Sequence, residues 1–145
     1  MDDSNPRHYT EQELRNLNAV RQLFDMWNAG DSSAFDVLDD YATWEITGTS
    51  DAAGKYTSKR EFLTNVIAPL NARLSTPLTA NVHTLYADDD TVIAHFDAEA
   101  TARDGLPYRN TYAWFLRFRD DKVGSAVAFY DDLAFNDLWR RVSPA

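Results

Sequence analysis

From Leu78 onward the chain alternates apolar and polar residues in a series of runs, broken by short turns rich in aspartate and glycine. A period of two puts successive side chains on opposite faces of a strand, so each run calls for a sheet with one face against a core. The runs extend from Leu78 to Tyr86, Thr91 to Thr101, Tyr108 to Phe118 and Val123 to Phe135. Asp88-Asp89-Asp90, Asp104-Gly105 and Asp120-Asp121 separate them, and Asp and Gly suit tight turns between strands. The second half of the chain therefore reads as a meander whose inner face needs a cover.

The first half supplies that cover. Thr10 and Glu13 have capping-box spacing. Leu14, Leu17, Val20, Leu23, Phe24 and Trp27 then recur at intervals of three and four, which predicts an amphipathic helix of about five turns stopped by Gly30. Asp31 is placed to cap a short second helix through Phe35 and Leu38. Trp44 to Thr47 alternates as a strand, with Gly48 and Gly54 punctuating a loop or ragged hairpin. Ser58 and Glu61 repeat the capping spacing ahead of Phe62, Leu63, Val66, Ile67 and Leu70, a third helix that Pro69 bends or ends. A short helix closes the chain near Leu138-Trp139. Helices first and strands afterwards indicate an α+β domain: a curved antiparallel sheet wrapped around the long N-terminal helix, with two further helices and an interior pocket lined by alternate residues. Residues 1–9, with Pro6, read as a flexible tail, 10–141 as one domain and 142–145 as a C-terminal tail.

Composition narrows the chemistry. The chain has 145 residues, enough for one domain with a sizeable core and no need of staples. It has no cysteine, which removes disulfides, thiolate metal sites and cysteine nucleophiles. Its 14 Lys and Arg against 23 Asp and Glu give a net charge of -9, which disfavours nucleic acid and an anionic membrane surface as partners. The acidic N-terminus does not resemble a signal peptide, and no run approaches the ~20 apolar residues of a membrane helix, so a cytoplasmic location is expected. The paired aspartates mostly fall on predicted turns, and none has calcium-loop spacing. With three histidines, no HExxH and no phosphate or dinucleotide loop, no metal and no cofactor is expected. The expected partner is a small hydrophobic molecule.

Several short motifs share one order. Trp27-Asn28-Ala29-Gly30-Asp31 ends the first helix, and Trp44-x-Ile46-x-Gly48-x-Ser50 follows. Gly105-x-x-Tyr108-x-Asn110-x-Tyr112 and Phe129-Tyr130-Asp131 come later. In this order and spacing, over about residues 12–137, the chain resembles SnoaL-like proteins of the nuclear transport factor 2-like superfamily. Ketosteroid isomerase and limonene epoxide hydrolase belong to the same superfamily. The resemblance implies a cone-shaped, cystatin-like roll with a deep apolar pocket, and frequent homodimerisation. It implies a cofactor-independent isomerase or cyclase acting on a polyketide- or terpenoid-like substrate in specialised metabolism; a non-catalytic ligand-binding or dimerisation module and epoxide hydrolase-like water addition are the alternatives. The positions matching the two acids of ketosteroid isomerase hold Ile46 and Trp114, which transfer no proton. Against the Arg-x-Asp pair of the epoxide hydrolase the chain has His95-Phe96-Asp97. Its late acid matches Ala128, and its first-strand tyrosine and asparagine match Trp44 and Ile46.

The residues themselves suggest a proton-transfer site. His95 and Asp97 are two apart on one predicted strand and share a face. With Phe96, Ala98 and Ala100 taken as the other face, His95, Asp97 and Glu99 look into the cone. An imidazole titrates near neutrality, and a carboxylate beside it fixes its tautomer, which suits general acid/base catalysis. His83 on the preceding strand is placed to approach His95. Tyr112 and Asn110 share a face of the next strand and offer donors to a substrate oxygen. Trp44, Ile46, Trp114, Ala128 and Tyr130, with Tyr56, would give the pocket its walls. Phe96, Phe115 and Phe129 are expected on an outer sheet face that favours a dimer.

Overall fold

A computed structural model describes residues 8–145, so all but His8 and Tyr9 of the predicted N-terminal tail lies outside the described residues. Helix α1 spans Glu11–Asn28 and opens with the expected capping box: Thr10 accepts from the Glu13 amide, and the Glu13 carboxylate accepts from the Thr10 amide at 2.8 Å. A 3-10 turn, Ala34–Val37, replaces the predicted short helix and runs straight into strand β1, Leu38–Ile46. β2 is Gly54–Tyr56. The third predicted helix is composite: α2 (Lys59–Phe62), a π turn (Leu63–Ile67) and α3 (Ala68–Asn71). Pro69 falls just after that wide turn, where its ring escapes the clash that would break a regular helix.

β3 (Thr79–Asp88), β4 (Thr91–Thr101), β5 (Pro107–Arg119) and β6 (Lys122–Tyr130) follow as a meander. Asp120 and Asp121 join the last pair with φ of 53° and 66°, the left-handed pair that a two-residue hairpin turn needs. The strand predicted to run to Phe135 stops at Tyr130. Asp131 accepts from the amides of Leu133 and Ala134 and starts α4, Asp132–Arg141, so Phe135 belongs to a helix. The curved, open sheet has the order β2-β1-β6-β5-β4-β3. Every neighbouring pair is antiparallel except β1 with β6, which the crossover makes parallel. The last residues are tied back rather than loose: Val142 is buried, the Ala145 amide donates to the Ala72 carbonyl, and Arg73 donates to the Val142 carbonyl at 2.8 Å.

The core lies between α1 and the inner face of the sheet. Phe24 packs edge-on to Phe96 at 4.8 Å and stacks on Trp114 at 5.7 Å. Asn28 clamps the end of α1 to β3 by a reciprocal pair of bonds with the Ala80 backbone, each 2.8 Å. Among the described residues no helix is long and apolar enough to cross a membrane.

Candidate active site

A cavity of about 770 Å³ opens between the sheet and the helical segment 59–71. Its walls are aromatic and aliphatic: Trp44 stacks on Phe62 with centroids 4.1 Å apart, and Trp114 meets Trp44 edge-on at 4.9 Å. Phe35 and Trp27 continue the wall towards the rim. The rim itself is polar and exposed, with Asp31, Ser32 and Asp36 on one side and Asn71, Ser75 and Thr76 on the other. Lys59 reaches Asp36 across 3.2 Å. All of the π turn's apolar side chains, Leu63, Val66 and Ile67, face the cavity. Trp44, Ile46, Tyr112, Trp114, Ala128 and Tyr130 are on the wall, as their strand parity predicts.

The facing of β4 is the reverse of the expectation. Ala94, Phe96 and Ala98 are buried on the inner face, while His95 and Glu99 are exposed and Asp97 is half-exposed. Polar residues on this strand face water and its small apolar ones face α1, the ordinary alternation of a sheet with one covered side. His95 and Asp97 therefore stand on the outer face, away from the cavity, and the His95/Asp97 pair has no access to a molecule held there. Phe96, expected outside, is an inner core residue. Asp97 pairs with His83 instead, Nε2 to Oδ2 at 2.9 Å, and accepts from the Thr111 hydroxyl at 2.7 Å. Those bonds, Thr111's first, hold the Asp97 carboxyl below its ordinary value. His83 shares this face with Asn81, the partner of Asp97, and lies at a bulge between Val82 and Thr84, its ring 5.0 Å from that of His95. Among the described residues no group of three His, Asp or Glu side chains is arranged to hold a metal ion.

Hydroxyl groups take the place of the expected imidazole and carboxylate. Tyr108 and Tyr112 lie one above the other on the inner face of β5, with Oη atoms 2.7 Å apart. Tyr130 on β6 meets Tyr112 edge-on at 5.6 Å, and its Oη is 2.7 Å from Ser50 Oγ. Burial pushes the Tyr108 hydroxyl up to about 12, and burial also raises Tyr112 and Tyr130 well above the usual phenol value. All three are neutral O–H groups at physiological pH. Asn110 is not on the wall. Its Oδ1 accepts from the Thr111 and Asp131 amides, and its Nδ2 donates to the Asp131 carbonyl and to Tyr108 Oη. With its hydrogen-bonding capacity spent, it braces β5 against the start of α4 rather than meeting a ligand.

Ser50 and Tyr108 escaped the sequence reading as site residues, although both stand within the motifs quoted above. Ser50 is delivered by the β1–β2 loop, which is pinned to α4. Asp132 Oδ2 accepts from the Thr49 amide at 2.8 Å, Asn136 accepts from the Asp51 amide at 2.8 Å, and Arg140 grips Asp51 through two bonds of 2.7 Å. Gly48 starts the loop with φ of 84°, and a Cβ there would lie 2.4 Å from Asp132 Oδ2. In the sequence Phe62 and the residues of the π turn form one apolar helix stripe, and their role as cavity wall is invisible until the sheet is in place.

Residues 20–125 match the family described as SnoaL-like domain. No curated protein matches the chain by sequence. Among solved structures, Bal32a from a soil-derived mobile gene cassette superposes with a TM-score of 0.78 at 20% identity, covering 90% of this chain and 100% of its own. A candidate SnoaL-like polyketide cyclase from Jannaschia sp. CCS1 gives 0.75 at 14% identity, over 91% of this chain and 96% of the other. A candidate isomerase from Bacillus subtilis gives 0.71 at 19% identity, over 94% and 100%. At these identities the likeness is one of fold.

Proposed function

The chain belongs to the SnoaL-like domain family, and from that premise we propose that it isomerises or cyclises a small hydrophobic molecule, polyketide- or terpenoid-like, bound in the cavity without a cofactor. The observation that carries this reading is a roomy aromatic cavity with neutral hydroxyl donors on its wall at Tyr112 and Tyr130. Flat apolar walls suit a ring-forming or conjugated carbon skeleton. Two O–H donors suit a carbonyl oxygen that gains negative charge as an enolate forms. The carboxylates on the wall, Asp31 and Asp36, are at the rim, so proton acceptance falls to that end of a bound molecule. The fold neighbours described as a candidate polyketide cyclase and a candidate isomerase agree with this reaction class. Tyr130→Phe should lower turnover of such a substrate at least tenfold while an apolar fluorophore still binds. Equal turnover in variant and wild type would remove Tyr130 from the chemistry.

The lack of any imidazole or carboxylate in the depth of the cavity, among the described residues, favours a second reading as a binding module. Recovery of every bound compound chemically unchanged would establish it. We further propose a homodimer through the outer sheet face, where Phe115 and Phe129 stack edge-on at 5.8 Å yet stay 37% and 46% exposed. Light scattering should report a dimer for wild type and a monomer for Phe115→Glu; a wild-type monomer at high concentration would dispose of it.

A further inference from the structure

The direction of the hydroxyl bonds at the inner wall follows from counting donors and acceptors. Asn110 cannot flip, because its Oδ1 already accepts two backbone amides, at 2.8 and 2.9 Å. Its Nδ2 must therefore donate to Tyr108 Oη, 3.0 Å away. Tyr108 is 3% exposed, and the other partner of its hydroxyl is Tyr112 Oη at 2.7 Å. Were Tyr112 to donate into Tyr108, the Tyr108 proton would be buried with no acceptor, at a cost of about 1–3 kcal/mol. The chain therefore runs one way, from Asn110 N–H to Tyr108 O–H to Tyr112, and leaves the Tyr112 proton unused. Tyr112 is on the cavity wall.

The second chain has the same logic. Ser50 is 6% exposed, is not on the wall, and has Tyr130 Oη as its hydroxyl's partner at 2.7 Å. Tyr130 is on the wall and is half-buried. Two protons share one bond, and only the Tyr130 proton has open space to enter. Ser50 donates, and Tyr130 is left facing the cavity as a donor. The pinned β1–β2 loop and the left-handed Gly48 hold Ser50 in place for that bond.

We propose that Tyr108 and Ser50 are positioning residues, which turn the O–H protons of Tyr112 and Tyr130 into the cavity and make it select molecules bringing an acceptor oxygen, such as a ketone, ester or quinone carbonyl. The proposal rests on the functional reading above and specifies its substrate class. Chains of hydroxyls polarise one another, so each outer group strengthens the inner donor as well as aiming it.

The test compares acetylnaphthalene with ethylnaphthalene, two flat probes of similar size that differ in one carbonyl, by calorimetric titration of the full chain. Wild type should bind the ketone about tenfold more tightly, as expected for two neutral hydrogen bonds. Tyr108→Phe and Ser50→Ala should each cut that ratio to about threefold, and Ser50→Thr, which keeps the hydroxyl, should restore it. The ratio is insensitive to a general loosening of the cavity, which would weaken both probes alike. Should Ser50→Ala fail to fold, Ser50→Cys, a weaker donor, takes its place with the same expectation. A ratio unchanged in Tyr108→Phe and Ser50→Ala but reduced in Tyr112→Phe and Tyr130→Phe overturns the positioning roles and leaves the functional reading intact. A wild-type ratio near one, with both probes bound, overturns the proposed selection for acceptor oxygens. Failure of wild type to bind either probe overturns the reading of the cavity and the proposal with it.

Discussion

Replacing Gly48 by alanine isolates the device that holds the β1–β2 loop. At φ of 84° an alanine pays the left-handed penalty, about 1–2 kcal/mol. Its Cβ would also lie 2.4 Å from Asp132 Oδ2, closer than a Cβ comes to any non-bonded heavy atom. The carboxylate must swing aside and give up its bond from the Thr49 amide, now 2.8 Å. A bond to a charged acceptor contributes about 1.5–3 kcal/mol, and this one is exposed, so the low end applies. The sum is about 3 kcal/mol for Gly48→Ala. Asp132→Ala alone should cost about 1.5 kcal/mol, the same bond. With the carboxylate already gone, adding Gly48→Ala should cost only the backbone strain, again about 1.5 kcal/mol. The double variant then matches Gly48→Ala alone, and the cycle shows a coupling of about 1.5 kcal/mol. Urea unfolding of the four proteins, with unchanged slopes, measures all of these quantities. Additivity within about 0.5 kcal/mol would refute the steric account, because only a direct clash makes the second substitution cheaper after the first.

Phe24→Ala should destabilise the fold by about 3–5 kcal/mol, since Phe24 is 2% exposed and contacts Phe96, Trp27 and Trp114 at once; a urea midpoint close to wild type would contradict the placement of the core. His95→Ala and Asp97→Asn should leave affinity for a cavity-bound ketone within about twofold of wild type, because both residues face outward; a tenfold loss in either, read by the same titration, would restore them to the site. Stability should fall in acid. Asp51, Asp90 and Asp104 have their carboxyls lowered from 3.8 chiefly by side-chain bonds from Arg140, Arg117 and Arg141. A depressed acid contributes stability that is complete above its unfolded value and lost as pH falls through the folded one. The urea midpoint should therefore hold down to about pH 5 and drop below 3.8, less steeply in Arg140→Ala; identical profiles for that variant and wild type would show that the Asp51 pair contributes nothing.

Periodicity carried the fold a long way, because most elements here obey it. The capping box at Thr10, the stripe of α1 and the hairpin aspartates are local signals, and local chemistry decides them. The facing of β4 is a global matter. Ala94 to Glu99 alternates cleanly, yet alternation says which residues share a face and not which face is covered. The reading that the cone would turn His95 and Asp97 inward imported the polarity of an enzyme interior. The apolar stripe of α1 has the stronger claim on Ala94, Phe96 and Ala98, since burying the charged set under that helix would strand it without water. The end of β6 was missed for a related reason: Tyr130-Asp131-Asp132 reads as a polar interruption, while the Asp131 side chain is the start of a helix. Trp44, Trp114 and Tyr130 were legible as walls, and Tyr112 as a donor beside them, because Tyr112 and Trp114 share a face of one strand and the motif order brings the three strands together. Asn110 was legible as a polar inner residue, but two of its four bonds go to the backbone of Asp131, 21 residues further on, which no local window contains.

The wide turn at Leu63–Ile67 gives the cavity wall a spare residue. A π turn holds one residue more than the α turn that would span the same axial distance. Deleting one position within it, with Pro69 replaced by alanine so that no ring meets the carbonyl four residues back, lets the segment close up as a regular helix, with Phe62 and Leu70 kept at their stations on either side. The side chains between them would rotate about the axis by about 100°, one residue's worth, and present different atoms to the bound molecule. Loss of one codon, together with replacement of that proline, would thus remodel the pocket lining while leaving the sheet, the long helix and the hydroxyl chains undisturbed. Most single-residue losses in a packed domain shear the fold; here the helix offers a place where length can be exchanged for shape.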